Sequence, residues 1–503
     1  MVTGITFLIV LLIRIIPVVF IGIFISRGFI DTGHLDPLLY LGGAQTILKT
    51  GSNPFSFFPP INFLFIAAFL YIGNGNPLAP MAAIAIVGWL TVIGIYLLAK
   101  ELWGEKIALL AAILSGVYPN LIFYGVSFYA ETLAIFWIVF SFLLIMKYFR
   151  TNKGLYLNSA GILWGLASQT RGGLHYFSVF IVLVIVMQCT RPKSRAAVQS
   201  IAIFLMTVYI TIFAISIMVA PIHGEASLNS KSGIGSMVHG ANRITTSCSD
   251  YGDVQGNIFY DINNCKENWP KGSNLYSDEL MKQDTVSILY EFLKFILQEP
   301  ITYLKNSLLK LSCSFSPNQV ILSFIKANFN TRHAFFSDTV CLGISLFYAF
   351  VICGGMWGMS LSKDPFRILF IFFIVFYCFL IFLTVGNSKL RLPLMPFFII
   401  YCSYFLMQFK TGVWKKALAN KWALIIILIF LTNSVYKYPE ILLSPAEIQV
   451  RKIELCNQLG FPKTALCLLE KNKNYTFTDE QKKRLKVAEA SAKQKLAALP
   501  EKN

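Results

Sequence analysis

The chain has 503 residues, of which 56% are hydrophobic, 15% are aromatic and only 14% are charged. Because soluble domains carry about 25% charged residues, these values exclude a disordered chain and argue against a soluble enzyme. The 43 Lys and Arg residues outnumber the 25 Asp and Glu residues, which gives a net charge of +18. Such an excess indicates nucleic-acid binding in a soluble protein and basic cytoplasmic loops in a membrane protein.

Apolar stretches of bilayer-spanning length recur along the chain. They predict an all-α integral membrane protein of about eleven transmembrane helices, near residues 5–26, 79–98, 107–125, 130–147, 157–171, 174–188, 198–219, 339–360, 367–386, 393–408 and 422–436. The apolar segment 60–73 is short for a span and is typical of an interfacial or re-entrant helix. We expect no cleaved signal peptide, because the first apolar run lacks a basic start and a cleavage site.

The loops between the predicted spans decide the orientation. With a cytoplasmic N-terminus, the inner gaps contain most of the basic loop residues, namely Lys100, Lys106, Lys147, Arg150, Lys153, Arg191, Lys193, Arg195, Lys363, Arg367, Lys410, Lys415, Lys416 and Lys421. This positive-inside bias accounts for much of the net charge without nucleic acid. It predicts a multi-pass protein, in a bacterial inner membrane, whose functional site is on the outer face.

The predicted topology divides the chain into four regions. Residues 1–219 form an N-terminal transmembrane module, with a first outer loop over 27–59 and the interfacial helix 60–73. Residues 220–337 form a large outer loop and residues 338–436 the C-terminal transmembrane helices. The polar tail 437–503 has helical patterns and is also outside. Disulfides Cys248–Cys265 and Cys456–Cys467 are open alternatives there, because oxidising compartments preserve disulfides.

The first outer loop contains the strongest candidate for chemistry, Asp36. Since Pro37 follows it, Asp36 has the sequence pattern of a helix N-cap. The alternative is functional, because a carboxylate at the start of a short helix on the membrane faces the head groups of lipid-linked substrates. His34 lies two residues earlier; it is either a substrate ligand or a solvated loop histidine.

Further ionisable residues occur at the outer ends of the predicted spans, where they are costly and therefore candidates for function. Glu131 begins a span, and its alternative role is to stabilise the helix dipole. Arg171 interrupts two apolar half-segments and is either functional or snorkelling. Lys389 and Arg391 break the charge rule locally, which favours an anion such as phosphate as their ligand. Arg14, within the first span, is either bundle-facing or snorkelling.

The order of these motifs resembles the GT-C superfamily of multi-span glycosyltransferases. Within it, the chain is similar to the branch of polyprenyl/dolichyl-phosphate-mannose protein mannosyltransferases and lipid A aminoarabinose transferases. Asp36, Tyr40 and Ala44 resemble the Asp-x-x-x-Tyr-x-x-x-Ala first-loop motif of the family. Residues 53–60, 127–131, 170–171 and 389–396 resemble its later motifs. Many members have Asp-Glu in the first loop, and here Pro37 replaces the second acid, which leaves Asp36 as the expected one.

The resemblance implies a GT-C-like bundle with juxtamembrane helices in the first outer loop, and transfer of a sugar from a polyprenyl phosphate to a lipid, glycan or protein acceptor. It places Asp36, or Glu131, as the catalytic acid–base group and Tyr40 and His34 beside the substrate. The cations Arg171, Lys389 and Arg391 would stabilise the phosphate leaving group. The scheme requires no cofactor and no metal, although a divalent metal is compatible with it.

Two other classes of protein have similar composition. A transporter or flippase of a lipid-linked sugar would use the same basic residues without a catalytic acid, but it favours repeated halves, which the sequence lacks. A polysaccharide polymerase or ligase also combines many spans with a large outer loop, and the ordered first-loop motif argues against it. The partners predicted for the chain are thus the lipid-linked donor, its acceptor and membrane lipids, with no nucleic acid.

Overall fold

The computed structural model describes residues 2–26, 35–55, 58–188, 195–223, 232–241, 285–329, 334–412, 420–472 and 477–497, and a few single positions including 261, 262, 265, 267 and 280. Every regular element in this part of the chain is a helix, which confirms the all-α prediction. The candidates His34 and Cys248 lie outside the described residues.

The described part of the chain contains 21 α-helices. They are α1 (Val2–Ser26), α2 (Leu35–Thr50), α3 (Pro60–Ile72), α4 (Leu78–Trp103), α5 (Glu105–Val117), α6 (Pro119–Tyr124), α7 (Glu131–Thr151), α8 (Gly154–Thr170), α9 (Ser178–Gln188), α10 (Arg195–His223), α11 (Ser232–Gly240), α12 (Thr285–Gln298), α13 (Pro300–Ser314), α14 (Val320–Phe329), α15 (Ala334–Leu361), α16 (Phe366–Leu383), α17 (Met395–Met407), α18 (Lys421–Ile441), α19 (Pro445–Gln458), α20 (Pro462–Lys471) and α21 (Asp479–Ala497). Short 3₁₀ turns precede α9 and α17, at Leu174–Phe177 and Ser388–Leu394.

Seven of the described helical segments are long and apolar enough to cross a membrane, which makes the chain an integral membrane protein. They are Thr3–Phe20, Leu78–Trp103, Glu131–Thr151, Val198–Ile222, Phe335–Leu361, Phe366–Leu383 and Ser388–Met407. The predicted count of eleven is not confirmed, because the other four predicted stretches are not among these segments. One of them is broken at Tyr118, whose backbone is extended before Pro119, as steric contact with a proline ring requires.

The described chain separates into two compact units. The first consists of Met1–Gly233, Leu346–Tyr377 and Leu392–Ile429, and the second of Ile234–Ser345, Cys378–Arg391 and Phe430–Asn503. Both units are therefore discontinuous in sequence. Each contains a part of the C-terminal helices that the chain order alone assigned to a single region.

In the first unit, α8 and α10 approach each other through glycines. A Cβ atom on Gly165 would stand 2.7 Å from Thr211 Cβ, and one on Gly161 would overlap Thr207. Small residues spaced by four allow helix backbones to pack closely inside a membrane. The interior of this unit is aromatic: the ring of Phe142 lies 5.7 Å from Trp164.

One end of the first unit gathers the charged turns. Lys100 Nζ lies 2.6 Å from Glu105 Oε2, and Arg150 Nη1 lies 2.9 Å from Glu101 Oε2. Thr3 Oγ1 donates a 3.3 Å hydrogen bond to Glu105. The N-terminus of α1 therefore shares this end with the basic α4–α5 and α7–α8 turns, as the predicted topology requires.

In the second unit, α19, α20 and α21 form a three-helix group around buried residues such as Val450, Ile453 and Ala492. The helical patterns predicted for the tail are thereby confirmed. Ile262, from the large loop, lies in the same core. The Glu267 carboxylate accepts hydrogen bonds of 3.1 and 2.6 Å from the backbone N–H groups of Lys463 and Thr464, in the first turn of α20.

The predicted cysteine pairs are wrong. Cys265 forms a disulfide with Cys467, and Cys456 is buried as a free thiol. The loop segment 261–267 docks on the tail through Ile262 and through an ion pair of 2.8 Å between Asp261 and Lys452, and this docking brings Cys265 beside Cys467. The two cysteines are 202 residues apart, so spacing in the sequence gave no sign of the pairing.

Candidate active site

The first loop folds into two short helices, α2 and α3, that pack against each other in the first unit. Asp36 lies in the first turn of α2 and is half-buried. Tyr40, one turn later, is buried with its ring 4.8 Å from that of Phe63 on α3. At Gly43 a Cβ atom would stand 2.5 Å from Phe63, so glycine permits the close packing that fixes α2. The segment predicted as an interfacial helix is the 13-residue apolar helix α3.

At the end of the unit away from the basic turns, α7 begins with Glu131 and α8 ends before Arg171. Arg171 Nη1 lies 3.0 Å from Glu131 Oε1, and the two side chains are only 15% and 8% exposed. The alternative of a snorkelling Arg171 is therefore wrong. Glu131 keeps its favourable place in the first turn of α7 and is also the counter-ion of Arg171.

Asn62 ties α3 to this ion pair. Its side-chain amide, almost fully buried on α3, donates a 3.0 Å hydrogen bond to the carbonyl of Phe128, three residues before Glu131. On the other side, Gly173 has a φ of +88°, a left-handed conformation that glycine adopts readily. It turns the chain back directly after Arg171.

The phenol of Tyr40 lies in the electrostatic field of all three charged candidates. Burial raises the pKa of Tyr40, the negative charges of Glu131 and Asp36 raise it further, and Arg171 opposes them. Asp36, Tyr40, Glu131 and Arg171 thus form one cluster within the first unit. Arg171 is the counter-ion of Glu131 in this cluster, and Asp36 lies at its half-exposed edge.

Lys389 and Arg391 belong to the second unit, in the 3₁₀ turn before α17. Arg391 is almost fully buried and donates to three backbone carbonyls, those of Ser314, Ser316 and Asn318, the last at 3.0 Å. Its guanidinium thereby holds the chain that follows α13. The side chain of Lys389 is half-buried, and its backbone N–H donates to Asn387 Oδ1 at 2.8 Å.

Arg14 faces the bundle, which decides between its two alternatives. It donates a 2.7 Å hydrogen bond to the carbonyl of Leu121 and a longer one to that of Ser115, at the ends of α6 and α5. Gly88 and Gly125 leave room for it, since a Cβ on either would stand within 2.9 Å of Nη1. Arg14 therefore supports the break between α5 and α6.

The structure adds residues that the sequence did not single out. Besides Asn62, the buried hydroxyl of Tyr377 interacts electrostatically with Arg171 and makes no hydrogen bond within the described part of the chain. A lone polar side chain in the apolar run of α3 was a visible signal for Asn62. No comparable signal marked Tyr377, which is one of 22 tyrosines. In the described residues no group of three His, Cys, Asp or Glu side chains is arranged to hold a metal.

The apolar helices and the polar cluster at one of their ends define a membrane protein with a candidate active site at the end of a helix bundle. Residues 58–218 match the family model of the dolichyl-phosphate-mannose-protein mannosyltransferases, which confirms the predicted resemblance over about a third of the chain. The matched segment contains Glu131 and Arg171. Asp36, Lys389 and Arg391 lie outside it.

Solved structures similar to this chain include those of the oligosaccharyltransferase of Archaeoglobus fulgidus. Its AglB protein in complex with an inhibitory peptide and a dolichol-phosphate has 13% identity and a TM-score of 0.42, over 90% of this chain and 55% of that one. The complex with Zn and sulfate has 15% identity and a TM-score of 0.45, over 91% and 55%. The chain thus spans little more than half the length of these proteins. No curated protein matches it.

Proposed function

We propose that the protein is a membrane glycosyltransferase that transfers a sugar from a polyprenyl-phosphate donor to a lipid, glycan or protein acceptor on the outer face of the membrane. The observation that carries this proposal is the cluster of Asp36, Tyr40, Glu131 and Arg171, which is built from the first loop and from the segment that matches the mannosyltransferase family. The outer position is supported by the basic turns at the other end of the unit and by the disulfide that joins loop and tail.

The contacts favour Asp36 over Glu131 as the general base. A base must accept a proton from the acceptor, and Glu131 is held in a buried ion pair with Arg171, which makes it a weaker proton acceptor. Asp36 is half-buried at the start of α2, where the helix dipole favours its ionised form. In the proposed step Asp36 takes the acceptor proton, the acceptor oxygen bonds to the anomeric carbon, and the bond from that carbon to the phosphate oxygen breaks with inversion.

The donor phosphate needs cations, and the sequence predicts three of them. Arg171 is paired with Glu131 and Arg391 with backbone carbonyls, so both are better placed to shape their surroundings than to gain a new ligand. Lys389 is half-buried and carries a compact, rotatable ammonium group, and it is our candidate for the lipid phosphate. Lys389→Gln should weaken binding of polyprenyl phosphate by purified protein in nanodiscs, whereas the exposed Lys363→Gln should leave it unchanged.

Asp36→Asn tests the reaction. Asn keeps the size of Asp but accepts no proton, so transfer should fall by about 10²–10⁴-fold while donor binding persists. The assay compares, by mass spectrometry, the lipids and surface glycans of cells that make the normal protein, the variant or neither. The same comparison identifies the sugar and the acceptor. A variant with near-normal products would refute the role of Asp36. Normal products in cells without the protein would refute the transferase. Products that are lost without the protein but retained with Asp36→Asn would favour the alternative, a transporter of a lipid-linked sugar.

A further inference from the structure

Helix α12 in the second unit has an apolar inner face and an apolar outer face. Ile288, Phe292 and Phe295 are buried on the inner face, and the ring of Phe292 lies 5.9 Å from that of Tyr303 on α13. The outer face exposes five large side chains, namely Val286, Leu289, Tyr290, Leu293 and Leu297. At 100° per residue these five fall within about a third of the helix circumference, so they form one continuous stripe.

Helix α13 continues this pattern. Tyr303 and Ser307 are buried on one side, while Ile301, Leu304 and Leu308 are exposed on the other. At the joint between the two helices, Leu297 and Ile301 are 80% and 81% exposed. Proteins rarely expose so many neighbouring apolar side chains to water without a partner for them.

The inner side of α13 is fixed to the end of α16 and to the middle of α18. Ser307 Oγ donates a 2.8 Å hydrogen bond to the carbonyl of Phe382, in the last turn of α16, and Tyr303 donates to that of Leu383. The Asn433 amide of α18 donates a 2.9 Å hydrogen bond to the carbonyl of Ser312. Helix α16 is long and apolar enough to cross a membrane. The α12–α13 pair therefore lies where that helix ends.

The neighbouring parts of these two helices also expose apolar side chains, among them Phe379 on α16 and Val435 and Tyr436 on α18. Side chains of this kind on membrane-crossing helices face lipid. An aromatic residue near the end of such a helix is typical of the boundary between bilayer and water. The lipid that surrounds α16 is therefore the partner in reach of α12 and α13.

We propose that α12 and α13 form an interfacial hairpin whose outer stripes insert into the membrane surface at the C-terminal end of α16. Leu293, Leu297 and Ile301 are the central contacts with the acyl chains, and the exposed Lys294 and Lys305 extend to the lipid phosphates. The large outer loop is thus partly a membrane element. This role is independent of the proposed transferase reaction.

Spin labels test the hairpin directly in the full chain. All cysteines except Cys265 and Cys467 are replaced by Ser, and one Cys is introduced at Leu293, Leu297 or Ile301, or at the control position. The control is Gln298, which is exposed next to Leu297 but points about 100° away from it. The protein is reconstituted in nanodiscs of phosphatidylcholine and phosphatidylglycerol in equal parts. Collision rates are then measured with oxygen, which concentrates in lipid, and with a water-soluble nickel chelate.

Labels at the three stripe positions should collide several-fold more often with oxygen than with nickel, and the order should reverse at Gln298. Nickel collisions that dominate at all four positions would place the stripe in water and overturn the proposal. If neither reagent collides with labels at the stripe positions, the stripe is covered by protein, such as a second copy of the chain. This result would also overturn the proposal. Three independent stripe positions keep the test valid if one variant does not fold.

Discussion

Removing one charge of the Glu131–Arg171 pair should destabilise the first unit strongly. At a separation of 3.0 Å and an effective dielectric constant of about 20, the attraction of two unit charges is about 5 kcal/mol. Breaking buried pairs of this kind costs about 3–5 kcal/mol, because the remaining charge is left without a partner. Glu131→Gln retains a hydrogen-bond acceptor. We therefore expect it to lower the free energy of unfolding by about 3 kcal/mol, at the lower end of this range.

A double-mutant cycle isolates the pair itself. Arg171→Gln should cost about as much as Glu131→Gln, and the double variant should cost about 2 kcal/mol less than the two single variants together, because it leaves no buried charge unpaired. The free energy of unfolding is measured by SDS titration in mixed micelles, followed by circular dichroism. The control is Glu105→Gln, whose pair with Lys100 is 44% and 51% exposed and should cost under about 1 kcal/mol.

The reasoning would be refuted if the losses of unfolding free energy in the two single variants add up to the loss in the double variant. Such a result would mean that Glu131 and Arg171 do not interact across their 3.0 Å contact, and Arg171 would then be free to bind the donor phosphate. Glu131 would in turn regain its place as a possible catalytic base. The cycle therefore bears on the choice of Asp36 as well as on stability.

Two further predictions concern packing and the disulfide. Gly165→Ala should destabilise the protein by about 1–3 kcal/mol in the same titration through overlap with Thr211. Gly154→Ala, in open space at the start of α8, should be neutral, and equal effects would contradict the glycine contact. Non-reducing proteolysis with mass spectrometry should recover a peptide pair that joins Cys265 and Cys467. The Cys467→Ser variant should lose this pair, and the Cys456→Ser variant should keep it. A pair that contains Cys456 would show that the docking of loop on tail is incorrect.

The helices and the candidate charged residues could be predicted from the sequence. Long apolar stretches identified the helices, because a bilayer leaves a helix as the only way to satisfy the backbone of a single segment. The short apolar run before Gly73 identified α3, and charged residues at the ends of apolar runs identified Asp36, Glu131 and Arg171 as candidates. These features depend only on neighbouring residues, so the order of residues is sufficient to reveal them.

The partners of those residues were decided by the tertiary structure. Glu131 and Arg171 are 40 residues apart and meet because α7 packs on α8, while Cys265 meets Cys467 because the loop docks on the tail. A sequence records that a side chain is charged or apolar but not which distant surface covers it. The same limit hid the outer stripe of α12, because a helix with apolar residues on two faces looks like a buried one until its neighbours are known.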